Sequence, residues 1–261
     1  MKVTVLGSGT SHGVPVPGCE CPVCTSTDPK NKRCRPSIIV TADDGANVLV
    51  DTPPELRLQL LATRVTRLDA ILFTHSHADH IFGLDDIRSF NMRQQMAMPI
   101  YAEENVELDI RRIFEYIFTA TQEGGGKPQI EFDRLKPRQG LALHGLRIVP
   151  LRVFHGNLPI LAFKFGDAFA YVTDVSRIPD ETWPHLENLD LLILDAVRRQ
   201  PHETHFHLDE SLAVIEKLRP KQTLFTHLSH DYDHETVNRE LPAGVELAFD
   251  GQVVELPVYH P

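Results

Sequence analysis

Residues 74–80 read Thr-His-Ser-His-Ala-Asp-His, and four of them, His75, His77, Asp79 and His80, are of metal-ligating type. Imidazole and carboxylate together suit borderline divalent cations, Zn or Mn, with Fe a further candidate. The stretch follows the apolar run Ala70-Ile71-Leu72-Phe73, so these groups fall where a buried strand emerges into a loop. That spacing lets one short loop feed two ions, His75 and His77 on one side and Asp79 and His80 on the other. A merely histidine-rich surface loop would not be matched by ligand-type residues at other strand ends. Here His155, Asp174 and His227 supply that match.

His75-x-His77-x-Asp79-His80 resembles the signature of the metallo-β-lactamase superfamily. Phe154-His155-Gly156, Thr173-Asp174 and Phe225-Thr226-His227 resemble its remaining ligand motifs in the right order. Gly18-Cys19-Glu20-Cys21-Pro22-Val23-Cys24 and Thr226-His227-Leu228-Ser229-His230 look like the PhnP-like cyclic phosphodiesterases of phosphonate metabolism. The resemblance implies His75, His77, His155 and Asp174 around a first metal, and Asp79, His80, His227 and a bridging Asp174 around a second. Two divalent ions about 3.5–4 Å apart would activate a hydroxide and hold both oxygens of a phosphodiester during in-line attack. Asp79 would also orient that hydroxide. Asp51 would orient the histidine loop by hydrogen bonds without binding metal. The resemblance also places a general acid in the segment from Pro201 to His207, and the match falls on His205. His202 and His207 stay open as alternatives, since any histidine titrates near neutral pH.

The four cysteines all fall between positions 19 and 34, a poor disulfide framework and a good thiolate cluster. Cys19, Cys21 and Cys24 at close spacing would repel one another without a cation and suit a structural zinc, for which Cys34 and His230 are both candidate fourth ligands. The family resemblance favours His230. The glycine and hydroxyl loop from Gly7 to Gly13 could face an anion with its amides or form a tight turn, and the letters favour neither.

These residues must be positioned by a scaffold, and the pattern supplies one. Strands are expected near the start, over 37–41 and over 47–51, with an Asp-Asp-Gly hairpin between the latter two. A helix should start at Pro53-Pro54 and run to about 62. Further helices are expected over 83–92 and 103–119, a short strand over 99–101 between them, and a glycine loop at 123–128 that serves as lid, dimer contact or surface excursion. Strands follow over 146–151, 160–165, 168–173, 189–194 and 222–226, His155 coming a short turn after the first. Helices over 208–218 and 234–241 complete the order. Buried strands alternating with amphipathic helices imply an α/β fold, an αββα sandwich of two mixed sheets flanked by helices.

With 261 residues, 42% of them hydrophobic, the chain can bury one large core, and it reads as a single domain over 1–261 with the zinc-binding cysteine loop at 18–34. A net charge of −10 disfavours nucleic acid as a partner, because such surfaces are built from clustered Lys and Arg. Neither a signal-peptide core nor a run near 18 apolar residues is present, so the expected location is cytoplasmic, away from membranes. The expected partner is a small phosphorylated substrate, with homodimerisation left open. The resemblance thus implies a metal-dependent phosphodiesterase acting on 5-phosphoribosyl 1,2-cyclic phosphate or a similar small cyclic diester. A tRNA 3′-end endonuclease shares the ligand set but needs a basic arm that this chain lacks. A non-catalytic metal-binding accessory protein would be marked by lost ligands, and none is lost here. A β-lactamase fits least, such enzymes generally being exported.

Overall fold

The computed structural model describes residues 1–120 and 126–257. Its strands are β1 (Lys2–Gly7), β2 (Ser37–Thr41), β3 (Asn47–Val50), β4 (Ala70–Leu72), β5 (Met98–Ala102), β6 (Ile130–Arg134) and β7 (Leu141–Leu143). They continue with β8 (Leu146–His155), β9 (Leu158–Phe165), β10 (Phe169–Val172), β11 (Leu191–Asp195), β12 (Gln222–Thr226), β13 (Val245–Leu247) and β14 (Val253–Glu255). One sheet has the order β14-β1-β2-β3-β4-β5-β6, the other β13-β12-β11-β10-β9-β8-β7. Both are mixed: β3 to β6 run parallel, as do β10 to β13, and the other neighbours pair antiparallel.

Side-chain alternation sorts the apolar residues into three layers. Ile38, Val40, Ala70 and Leu72 of the first sheet meet Leu161, Phe163, Tyr171 and Ile193 of the second in a shared central core. Ile39, Leu49 and Ile71 point the other way, under helices that supply Leu56, Leu60, Ile87 and Val106. On the far side Leu192, Leu194 and Phe225 pack under Val214, Leu218 and Val237. This is the αββα sandwich expected, each fully buried aliphatic side chain contributing about 1.5–3 kcal/mol. Among the described residues no helix is long and apolar enough to cross a membrane.

Several boundaries differ from expectation. The helix expected from Pro53 begins only at Leu56, the two prolines forming a turn in which the Pro53 carbonyl accepts the Leu56 N–H. Residues 83–92 split into a 3-10 turn (Leu84–Ile87) and a helix (Arg88–Gln94). The helix expected over 103–119 breaks at Phe114 into Glu104–Ile113 and Glu115–Phe118. Strand β8 runs through to His155 without the turn expected before it. Part of the glycine loop, residues 121–125, lies outside the described residues.

Candidate metal centre

Every ligand-type residue emerges from the carboxyl end of a strand on one rim of the sandwich, where open α/β sheets place their ligands. Asp51 follows β3, the histidine loop follows β4, His155 ends β8, Asp174 follows β10, Asp195 ends β11 and His227 follows β12. Asp51, Asp174 and His227 all have left-handed backbone, φ 63°, 56° and 60°. Non-glycine residues hold that conformation at a cost, and such strain collects at functional sites. The two sheets are also tied here, the Leu161 N–H donating to the Thr74 carbonyl at 3.1 Å.

The structure brings all seven expected ligands together. His75, His77 and His155 offer nitrogens within 4.8 Å of one another, and Asp79, His80, Asp174 and His227 form an adjoining group by the same measure. Asp174 links the halves: its Oδ2 lies 3.3 Å from His80 Nε2 and its Oδ1 3.3 Å from His227 Nε2. The outward nitrogens of His75, His80 and His155 are occupied by the protein, while His227 Nδ1 is buried without a hydrogen-bond partner. Asp51 accepts from His80 Nδ1 at 2.8 Å, from the Thr74 N–H at 2.9 Å and from the Thr74 hydroxyl at 2.8 Å. Thr74 Oγ1 in turn lies 3.0 Å from His75 Nδ1, and His155 Nδ1 donates to the Thr204 carbonyl at 2.7 Å. Such contacts fix the tautomer and aim the other ring nitrogen at the centre. Asp51 is thus hydrogen-bonded to both ends of the histidine loop, at Thr74 and at His80.

The inward nitrogens His75 Nε2, His80 Nε2 and His227 Nε2 are buried without a hydrogen-bond partner. Leaving a buried polar atom unpaired costs about 1–3 kcal/mol, a cost that a bound cation removes. Titration tells the same story. Burial pushes His75 and His155 down, keeping their lone pairs open. Against burial, Asp174, Asp79 and Asp51 hold His80 well above its ordinary value, and Asp174, Asp79 and Asp195 raise His227 to about 9. Also against burial, these imidazoles hold Asp79 and Asp174 well below the usual carboxylate range. The donor set thus fits divalent cations in number, type and aim.

His205, buried at 8% exposure, stacks on His227 with ring centroids 4.6 Å apart and lies 4.4 Å from the His155 ring. Its Nδ1 donates to Asp195 Oδ2 at 2.8 Å, and the same oxygen accepts the Val175 N–H at 2.9 Å. Asp195 Oδ1 lies 3.8 Å from His227 Nδ1. Asp195 thus lies against two site histidines, a part that sequence reasoning missed, the expected strand stopping one residue short at 194. Thr74, placed immediately before the histidine motif, was missed as well. Of the alternatives to His205, His207 is engaged elsewhere, its Nδ1 2.6 Å from Glu210 at the start of the helix Leu208–Leu218. His202 makes an edge contact with His205 at 4.9 Å.

The cysteine loop forms a second cluster. His230 Nδ1 lies 3.2, 3.5 and 3.4 Å from the sulfurs of Cys19, Cys21 and Cys24. A tetrahedral zinc with Zn–S about 2.3 Å and Zn–N about 2.0–2.1 Å requires S···N edges of about 3.5 Å. The Cys21 thiol is held down to about 6, chiefly by the Cys24 N–H, so it offers a thiolate near neutral pH. Cys34 stands apart, its backbone N–H bonded to Asp250 Oδ2 and its thiol pushed far up by burial next to that carboxylate. The glycine loop resolves as a tight turn: the amides of Ser8, Gly9 and Thr10 go to Asp250 Oδ1, the Cys34 carbonyl and the Leu228 carbonyl. A side chain at Gly7 would meet the Arg35 carbonyl at 1.9 Å.

Comparison with known proteins agrees with this geometry. Residues 46–228 match the beta-lactamase superfamily domain. A crystal structure described as a new diphosphatase from the PhnP family is 45% identical, with a TM-score of 0.90, covering 97% of this chain and 96% of that one. The chain belongs to the PhnP family of the beta-lactamase superfamily. It is also 36% identical over 256 residues to a Porphyromonas gingivalis protein named octanoyltransferase, covering 96% of this chain and 51% of that protein. The chain thus spans about half the length of that relative. Zn(2+)-bound PqqB from Methylobacterium extorquens, 18% identical with a TM-score of 0.80 and covering 98% of this chain and 100% of its own, shares the fold.

Proposed function

We propose that the chain is a phosphodiesterase with two divalent cations at its rim, opening 5-phosphoribosyl 1,2-cyclic phosphate or a similar small cyclic diester. The observation that carries this reading is His205, fixed by Asp195 against the ligand cluster. When bound, the cations lower the pKa of a water and neutralise charge developing on the phosphoryl oxygens. The chain's own residues do the rest. Asp79, ionised across the working pH range, accepts a hydrogen from the attacking water and so orients it. His205, its Nδ1–H committed to Asp195, acts in its imidazolium form, passing the proton on Nε2 to the leaving oxygen and becoming neutral.

A second reading, hydrolysis of a diphosphate, is favoured by the relative described as a diphosphatase. The two differ in what His205 must do. A sugar alkoxide leaves poorly without a proton, whereas a phosphate group leaves readily without one, so an oriented acid favours the sugar diester. The octanoyltransferase name belongs to a protein about twice as long and supplies no chemistry for this rim. Turnover should be measured on bis(p-nitrophenyl) phosphate, a cyclic ribose phosphate, a dinucleoside diphosphate and a tRNA precursor, with metal content determined on the same preparation. Cleavage of the tRNA precursor alone would overturn the small-substrate reading.

Two expectations follow for the metals. A cation must displace the protons that His80 and His227 carry, so its affinity should rise with pH and flatten above about 9. Metal titrations between pH 6 and 10 check this, and an affinity that does not change with pH refutes it. The cysteine cluster should hold about one zinc per chain more tightly than the rim holds its cations, because thiolates are the softer ligands. Mild chelation should remove the rim metals first. Cys21→Ser should lose the tight zinc and lower the melting temperature, by about 2–4 °C for each kcal/mol lost in a domain of this size. If instead Cys34→Ser loses that zinc and His230→Ala retains it, the ligand set is wrong.

A further inference from the structure

On the face of the first sheet turned away from the second, the helix Leu56–Ala62 stands beside the 3-10 turn Leu84–Ile87 and the helix Arg88–Gln94. Between them lies a groove of about 360 Å³, lined by none of the seven rim ligands. Its volume is within the range of small-molecule sites, roughly 300–1,000 Å³. Leu60 and Phe90, both buried, give it an apolar floor, which Val65 and the 62%-exposed Leu61 extend. Arg57, Arg88 and Arg93 add cationic groups to the same lining, and Arg57 shares a helix face with Leu60 and Leu61 through its i, i+3, i+4 spacing. Among the described residues neither the Arg57 nor the Arg93 guanidinium makes a hydrogen bond or a contact ion pair. Arg88 Nη1 reaches Asp85 Oδ2 at 3.5 Å and the Gly126 carbonyl at 3.4 Å. The one carboxylate in the lining, Asp86, is partly buried, and burial raises its pKa against the pull of the Arg57 N–H and of the Arg57 and Arg88 guanidinium groups.

We propose that this groove binds an amphiphilic carboxylate of the fatty-acid class, its head held by Arg57 and Arg93 and its chain along Leu60, Leu61, Val65 and Phe90. Three arginines facing Asp86 and Asp85 leave an excess of one positive charge beside an apolar floor, on a chain whose net charge is −10. A single carboxylate matches that excess and fits the planar fork of a guanidinium, whereas a phosphate dianion would keep a charge uncompensated. The apolar floor in turn rewards a hydrocarbon chain, which a sugar or a free inorganic anion lacks. The site is separate from the rim and does not rest on the phosphodiesterase reading.

Calorimetric titration of the holoprotein with hexanoate, octanoate and decanoate, each below its micelle concentration, tests the site. Decanoate should bind once per chain with Kd below about 1 mM. Each two-carbon step along the series should tighten binding by about tenfold. Decanol, with the same chain and no charge, should bind about tenfold more weakly than decanoate. Arg57→Gln and Arg93→Gln should each weaken decanoate by about three- to tenfold, the worth of a charged contact at a partly exposed site. Leu61→Ser, at an exposed position that folding does not depend on, should flatten the dependence on chain length. Melting temperatures check that all three variants fold. Because rim cations also take carboxylates, the titration is repeated after mild chelation, and the affinity should hold. An affinity lost with the rim metals would place the ligand there and overturn the groove. Equal binding of decanol and decanoate, or arginine variants that bind decanoate like the native chain, would overturn it as well. If decanoate fails to bind while phosphatidylglycerol vesicles retain the native chain and release Arg57→Gln, the surface takes a membrane and the proposal is wrong. Binding of neither refutes it outright.

Discussion

Asp174→Ala is expected to abolish phosphodiester turnover and to strip most of the metal from the rim while leaving the cysteine-bound zinc in place. Its carboxylate lies between His80 and His227, one oxygen 3.3 Å from each, so its loss leaves the two inward nitrogens with Asp79 alone, at 3.4 and 3.8 Å. Alanine also suits the backbone badly, since φ is 56° there and a left-handed residue with a Cβ costs about 1–2 kcal/mol. Asp174→Asn separates the two effects, because asparagine tolerates that conformation and lacks only the charge. Both variants should be inactive, and the asparagine form should melt nearer the native temperature. Turnover retained in either, measured with metal content, would sink the dinuclear mechanism.

The second large effect is expected at His205. His205→Ala should cut turnover of a substrate with an alkoxide leaving group by about 10²- to 10⁴-fold, with a smaller loss on an activated nitrophenyl ester that needs no proton. Metal content should hold, since the ring donates to Asp195 and is not among the seven rim ligands. Asp195→Asn should reproduce part of the loss, about 10- to 100-fold, by loosening the ring's orientation. Equal losses on both substrates would mean positioning rather than proton transfer. No loss would pass the assignment to His202, since His207 is bound to Glu210.

The rim was legible because its chemistry is local in sequence. Four ligands share one loop, and the others end strands whose apolar runs are unmistakable. The sandwich was legible for a similar reason, several strands of the parallel halves being continuous buried runs, such as Ala70–Leu72, Phe169–Val172 and Leu191–Asp195. What escaped depends on neighbours distant in the chain. Asp195 reaches His205 and His227 only because β11 pairs with β12, a fact no local pattern records. The break at Phe114 was hidden because Val106, Ile110, Phe114 and Ile117 all stay buried across it, so helical spacing survives the interruption. Strands β6 and β7 are short and partly exposed, with too little apolar character to stand out near a glycine run. Spacing alone left Cys34 and His230 as alternatives, and only the fold separates them, setting Cys34 against Asp250 and His230 against the three thiols.

One four-residue stretch remains consequential. His227 reaches into the rim and His230 into the cysteine cluster, while the intervening Leu228 and Ser229 are pinned, the Leu228 N–H by the Ser8 carbonyl and the Ser229 carbonyl by Arg33 Nη1. The buried Arg33 guanidinium also donates to the Tyr232 carbonyl at 2.8 Å, so the stretch has little freedom to move at one end alone. Ions held at the two clusters would therefore be ligands of one rigid segment. By linkage, whatever factor zinc at the cysteines adds to affinity at the rim, a rim cation adds to the affinity for that zinc. Loading order would then change the rate at which the holoprotein forms and not its final state.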